Sequence, residues 1–400
     1  MSGTYDSEND LYVYALPISG GAFVCHLALL QEVYDARIKA MDSKINGYFS
    51  YAPHISLGSS GGNISSFIGQ ASDWTSYGIQ RNSIKLRSDM FIKNWIPLNY
   101  SIFPNEPFLL IKGSMYNSGY GGYDLFSELF TEESIQRTEM WFGTYDIKHK
   151  KAQFFCNKSP SFTYISEPFF NEEQSIYYAM PLKFASGNLQ KLSDICIASA
   201  TIPGFVPSKE IDGLLYADGG VMYPSPLSVF DKEILRIVTG KERVPIVRSF
   251  QEEHDSESNY EVTYDERPEQ KQKNLRLFYF FPYQPNGLEF HKKSKDIGIR
   301  NYLDSILNVS MMQDRNKGIT ILNELSPMGL ETEEYPKMDS DQLGLIIKDL
   351  SRYKHYMICL YPHRNPSVDF RKLTPHLIHD KMAMVRENYG CQVWYSRELK

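Results

Sequence analysis

The chain has 400 residues, 42% hydrophobic and 14% aromatic, with a formal net charge of −6. That length and apolar fraction can bury a large core in one big domain or two, and the acidic balance argues against a nucleic-acid binder, which needs a basic surface to meet phosphates. Five scattered cysteines (Cys25, Cys156, Cys196, Cys359, Cys391), never in C-x-x-C, argue against a disulfide framework or a zinc site and favour a reducing, intracellular setting.

The first residues, M-S-G-T-Y-D-S-E-N-D, are acidic and polar and show no secretory signal. No run of about 18 apolar residues occurs, so no spanning helix is expected. Leu11 to Leu16, L-Y-V-Y-A-L, reads as a buried strand ended by Pro17. Ile18-Ser19-Gly20-Gly21-Ala22 is a Gly-rich turn. Leu27, Leu30, Tyr34 and Ile38 then recur at helical spacing. Strand, glycine turn, helix is a geometry that aims unpaired backbone N–H groups at an anion. In a serine hydrolase the anion is the tetrahedral oxyanion. The competing phosphate-loop reading lacks both G-x-x-x-x-G-K-[ST] and G-x-G-x-x-G.

His54 to Ser66, H-I-S-L-G-S-S-G-G-N-I-S-S, contains the most informative pattern. Gly58-Ser59-Ser60-Gly61-Gly62 is a G-x-S-x-G nucleophile elbow. A strand from Ile55 to Leu57 turns sharply into a helix starting near Gly61, and only small neighbours tolerate the strained serine at the turn. Ser60 alone has the register, with Gly58 and Gly62 on either side. A plain Gly/Ser-rich loop is the competing reading.

From Met90 to Phe142 the chain is aromatic and weakly periodic, which fits a cap or flanking lobe and core packing equally. Within it Tyr116 to Tyr123, Y-N-S-G-Y-G-G-Y, reads as a loop. Trp141 to Asn157 reads as strand, turn, strand, with Lys148 to Lys151 as the exposed turn. Ile195 to Ala200 suits a helix end broken by Pro203 and Gly204. Ile211 to Asp218 then forms a hairpin turning at Asp212-Gly213. Asp218-Gly219-Gly220 ends that strand. Alone it is an ordinary turn; beside a G-x-S-x-G it suggests the base that takes the serine proton.

In these motifs the sequence resembles the patatin-like phospholipases. Ser19-Gly20-Gly21, Gly58-Ser59-Ser60-Gly61-Gly62 and Asp218-Gly219-Gly220 stand in the family's order, and A-S-A-T-I-P-G-F-V-P before the last looks like its usual lead-in. The resemblance covers roughly 11–230 and is poor between 80 and 140. It implies an α/β/α sandwich around a mainly parallel sheet and a Ser-Asp dyad that needs no metal or other cofactor. Ser60 would attack an acyl ester of a phospholipid and form an acyl-enzyme. Asp218 would be the base, and Gly20 and Gly21 would give oxyanion N–H donors. A carboxylate with the ordinary pKa of about 3.9 is a poor base for an alcohol, so burial must raise it. The implied partner is phospholipid or another acyl-ester lipid, with peripheral membrane contact and no nucleic acid.

One departure from the family opens a second reading. The glycine loop, S-G-G-A-F-V-C-H, is about two residues short, and Phe23 and Val24 stand where the family has a basic residue. A patatin-fold protein without turnover, with a structural or lipid-binding role, is the alternative. A Ser-His-Asp esterase of the α/β-hydrolase type is another, because His291, His355, His363, His376 and His379 all follow Asp218.

The remainder, 231–400, reads as completion of the α/β domain with a helical flank. Residues 251–273 are rich in acids (Glu252, Glu253, Asp255, Glu257, Glu261, Asp265, Glu266, Glu269) and read as a solvated loop or disordered insert. Asn274 to Phe281 and Tyr356 to Tyr361 read as strands. Ile299, Leu303, Ile306 and Val309 mark an amphipathic helix. Thr374-Pro375 starts a last helix with Ile378, Met382, Val385 and Tyr389 on one face, closed by Gly390.

Overall fold

A computed structural model describes residues 9–40, 53–71, 101–102, 116–117, 138–157, 165–166, 177–178, 189–203, 208–221, 226–240, 244–249, 260–265, 271–285, 299–364 and 375–400. In chain order the first half gives β1 (Asp10–Leu16), α1 (Phe23–Ala40), β2 (Ile55–Ser59), α2 (Gly61–Ala71), β3 (Ser101–Ile102), β4 (Tyr116–Asn117), β5 (Glu139–Asp146), β6 (Lys151–Cys156), β7 (Ile165–Ser166), β8 (Tyr177–Tyr178) and α3 (Leu189–Ser199). The second half gives β9 (Lys209–Ile211), β10 (Leu214–Asp218), α4 (Leu227–Thr239), β11 (Val244–Ser249), β12 (Tyr260–Asp265), β13 (Asn274–Phe280), α5 (Ile299–Leu325), β14 (Leu330–Met338), α6 (Ser340–Leu350), β15 (Tyr356–Pro362), α7 (Pro375–Glu387) and β16 (Tyr389–Ser396).

Side chains that alternate along β1 explain why it lies at the centre. Tyr12, Tyr14 and Leu16 join one buried cluster, and Leu11, Val13 and Ala15 join another on the opposite face. A strand apolar on both faces must be covered on both. β13 repeats the pattern, with Phe278 and Phe280 on one side and Leu275, Leu277 and Tyr279 on the other. The first cluster takes in residues of α1, α2, α3, α6 and α7, and the second those of α4 and α5. The result is a three-layer α/β/α sandwich. Among the described residues the main sheet runs β14-β16-β15-β13-β1-β2-β5-β10-β9, with β6 also paired to β5. The central run β15-β13-β1-β2-β5 is parallel, and the strands outside it are antiparallel.

Several expectations are corrected. Tyr260 to Asp265 lies in the acidic stretch expected to be loop, yet it forms β12 antiparallel to β11; its Y-E-V-T-Y-D alternation has the two-residue period of a strand. Tyr116 and Asn117 pair with β3 and are not loop. The remainder of that aromatic stretch up to residue 137 lies outside the described residues, as does Ile38's side chain. Val309 is 57% exposed, and the buried face of α5 instead carries Met311, Asp314, Ile321 and Leu322. Tyr389 and Gly390 do not end α7 but open β16. Edge strand β14, helix α6 and strand β16 had no sequence expectation. Most of β14 is exposed, so no buried face marks it, while α6 has a side-chain N-cap from Asp339 to the Gln342 N–H.

Candidate active site

The parallel strands β1 and β2 both end at the same edge of the sheet, since Leu16 pairs with Gly58. Clefts beyond the carboxyl ends of parallel strands are where α/β sheets collect functional groups. After β2 the chain reverses at Ser60, whose φ is +53°, a left-handed conformation that costs a non-glycine residue energy. The turn is tight because α2 starts at once: the Ser60 carbonyl accepts from the Asn63 N–H at 2.9 Å. Gly62 must pass directly over the end of β1. A Cβ there would lie 2.5 Å from the Pro17 carbonyl oxygen and closer still to that of Leu16. Further back, a Ser56–Ser66 hydroxyl pair at 2.6 Å ties α2 to β2, and Ser65 donates to the Phe23 carbonyl of α1 at 3.0 Å.

Asp218 ends β10, two strands away, opposite Thr144 of β5, while Ser59 is opposite Gly143. The two register pairs bring Ser60 and Asp218 to the same level of the sheet. The Ser60 Oγ donates to Asp218 Oδ2 at 2.5 Å, and both residues are 1% exposed. The other carboxylate oxygen accepts from the Gly220 N–H at 2.7 Å, and the Asp218 N–H donates to the Thr201 carbonyl at 3.0 Å. Burial pushes the Asp218 carboxyl up to about 7, against the opposing pull of the Ser60 and Gly220 hydrogen bonds. Gly219 lies against the β5 backbone, and a Cβ there would lie within 2.7 Å of the Thr144 nitrogen. Gly58 faces Asn63 and Gly220 faces Ile18, so all four motif glycines stand at close approaches.

The lead-in sequence also has a structural place. Asn63 in the first turn of α2 donates to the Ser199 hydroxyl at the end of α3, and Ser199 donates to the Gly143 carbonyl at 2.6 Å. Thr201, two residues on, holds the Asp218 backbone. This buried chain spans the serine elbow, β5 and the aspartate. Neither Asn63 nor Ser199 has a sequence signal of its own, since the two lie 136 residues apart and Gly143 lies 56 from Ser199.

Gly20 has φ +48° and opens a 3-10 turn, Gly20–Ala22, that leads into α1. It lies against the elbow: a Cβ on Gly61 would be 3.1 Å from the Gly20 nitrogen and 2.6 Å from Ser19 Oγ. Gly21 is the middle of that turn. Six of the histidines are engaged elsewhere. His26 bonds the Phe280 carbonyl, and burial lowers its pKa to about 3. His54 accepts from the Tyr12 N–H, His149 meets Asp146, His355 accepts from the Leu275 N–H and His363 meets the Pro336 carbonyl. His376 is paired with Asp380. The contact between Ser60 and Asp218 is direct, hydroxyl to carboxylate. His291 lies outside the described residues.

A family model described as patatin-like phospholipase matches residues 18–231, a span containing Gly20, Ser60 and Asp218. No curated protein matches the chain. Among solved structures, VipD from Legionella pneumophila aligns over 96% of this chain and 67% of that one, at 10% identity and a TM-score of 0.28.

Proposed function

We propose, because the chain belongs to the patatin-like phospholipase family, that it is a serine acyl hydrolase acting on acyl esters of phospholipids through Ser60 and Asp218. The observation that carries this reading is the 2.5 Å bond from Ser60 Oγ to an aspartate whose pKa is raised to about 7. A base must hold the hydroxyl proton with an affinity suited to the working pH, and a buried carboxylate does so where an exposed one cannot. Ser60 Oγ attacks the acyl carbon while Asp218 takes its proton. The resulting oxyanion is met by backbone N–H groups, Gly20 and Gly21 from the loop and Gly61 following the nucleophile, each worth on the order of 3 kcal/mol of barrier. The intermediate collapses with loss of the lysolipid alkoxide, which takes the proton from Asp218. Water, deprotonated by Asp218, then releases the fatty acid and restores Ser60. On this reading residues 231–400 complete the same α/β unit, and the protein meets its substrate at a membrane surface.

Fatty-acid release from mixed phospholipid vesicles tests the reading. Wild-type release that vanishes in Ser60→Ala and in Asp218→Asn is the expected result. The short glycine loop without a basic residue favours one other reading, a patatin-fold protein with a structural or lipid-binding role. Folded wild-type protein that binds vesicles but releases no fatty acid would establish that one instead.

A further inference from the structure

The glycine loop is short, yet it is pinned from an unexpected direction. Tyr283, just beyond β13, donates its hydroxyl to the Ser19 carbonyl at 3.2 Å. The Ala22 N–H donates to the same oxygen at 2.8 Å. Two donors on one carbonyl fix the plane of the Ser19–Gly20 peptide. No cis peptide occurs among the described residues, so in this trans unit the Gly20 N–H points opposite to the held carbonyl. That nitrogen is the one lying beside Gly61 at the elbow. Two further bonds, from the first turn of α1, reach the end of β13: Cys25 Sγ donates to the Phe281 carbonyl at 3.4 Å, and His26 Nε2 to the Phe280 carbonyl at 3.0 Å. With its pKa lowered, His26 is neutral and carries its proton on Nε2, since a carbonyl can only accept. All three anchors come from residues 280–283, outside the span of the family match.

We propose that Tyr283 is a positioning residue for the oxyanion loop, holding the Ser19–Gly20 peptide in the orientation that presents the Gly20 N–H to the tetrahedral oxyanion. It does from the C-terminal third what a longer, basic loop would do locally. A peptide unit that can rotate presents either a donor or a repelling carbonyl oxygen to the same point. Releasing one of two restraints therefore weakens stabilisation of the transition state more than binding of the ground state. This inference rests on the Ser60–Asp218 reading.

The test uses the full chain and a soluble short-chain ester, with a trifluoromethyl ketone of matching acyl length as the analogue that forms a hemiketal oxyanion on Ser60. Turnover abolished by Ser60→Ala establishes the underlying reading. Tyr283→Phe then lowers kcat about tenfold, a fraction of the loss expected for a donor removed outright. KM changes little, the melting temperature is retained, and the ketone's Ki rises by the same factor as kcat/KM falls. An unchanged kcat and Ki in folded Tyr283→Phe would overturn the clamp and leave the dyad standing. A loss of kcat with an unchanged Ki would also overturn it, because the defect would then lie outside oxyanion binding. Wild-type protein with no Ser60-dependent turnover overturns both.

Discussion

Asp218 ionises at about 3.8 in an unfolded chain but holds its proton up to about 7 in the fold. Two opposite pH dependences follow from that one shift. On the proposed mechanism activity needs the carboxylate form, so kcat/KM should rise with pH through an apparent pKa near 7 and fall away below it. Stability moves the other way. Between about 4 and 7 the native state holds a proton that the unfolded state has lost, so this residue's contribution declines as pH rises and is gone above 7. The difference is at most about 4 kcal/mol, and other groups titrating in the range add to the total slope. Thermal melts of wild type and Asp218→Asn across this window should therefore diverge with pH, the variant gaining relative stability as pH rises. Parallel curves would mean that the aspartate is not held in an apolar site.

Helix α2 shows how an element can need glycine at one position and tolerate replacement at another. Gly62 abuts the carbonyl oxygens of Leu16 and Pro17, which belong to the backbone leaving the central strand and cannot withdraw. Gly62→Ala should cost about 3 kcal/mol or more in urea unfolding and disturb the Ser60 turn. Gly69, one helical stretch further on, meets only the terminal methyl of Leu30 at 3.1 Å. There the entropy gain of alanine in a helix offsets a small side-chain shift, so Gly69→Ala should stay within about 0.5 kcal/mol of wild type. The same element carries Asn63, whose link through Ser199 to Gly143 explains why the lead-in before Asp218 is part of the site scaffold and not a mere connection.

At the scale of the molecule, β13 decides the architecture. It lies beside β1, on the side away from β2, with six register pairs from Asp10↔Asn274 to Ala15↔Tyr279. Arg276 on this strand is fully buried against Asp10, and Lys400 at the other end of the described chain reaches the same carboxylate. A chain ended after α4, near residue 240, would retain every motif of the family match but expose one whole edge of β1. Such a truncation should give insoluble or molten protein, read as loss of a cooperative melt.

What the sequence determined by itself was local. Glycines at fixed offsets around Ser60 and after Asp218 declare turns that only they permit, and apolar alternation in L-Y-V-Y-A-L and N-L-R-L-F-Y-F declares strands buried on both faces. These signals arise within a few residues, so one chain suffices to read them. Strand β12 stayed hidden because its acids outweighed its alternation, and β14 because an exposed edge strand has no buried face to reveal it. Only the tertiary structure could bring Ser60 within 2.5 Å of Asp218, link Asn63 to Ser199 and bring Tyr283 to Ser19. Those contacts depend on the order in which strands enter the sheet. Strand order is set by the burial of whole faces against helices, a property of the assembled layers that no short stretch of sequence carries.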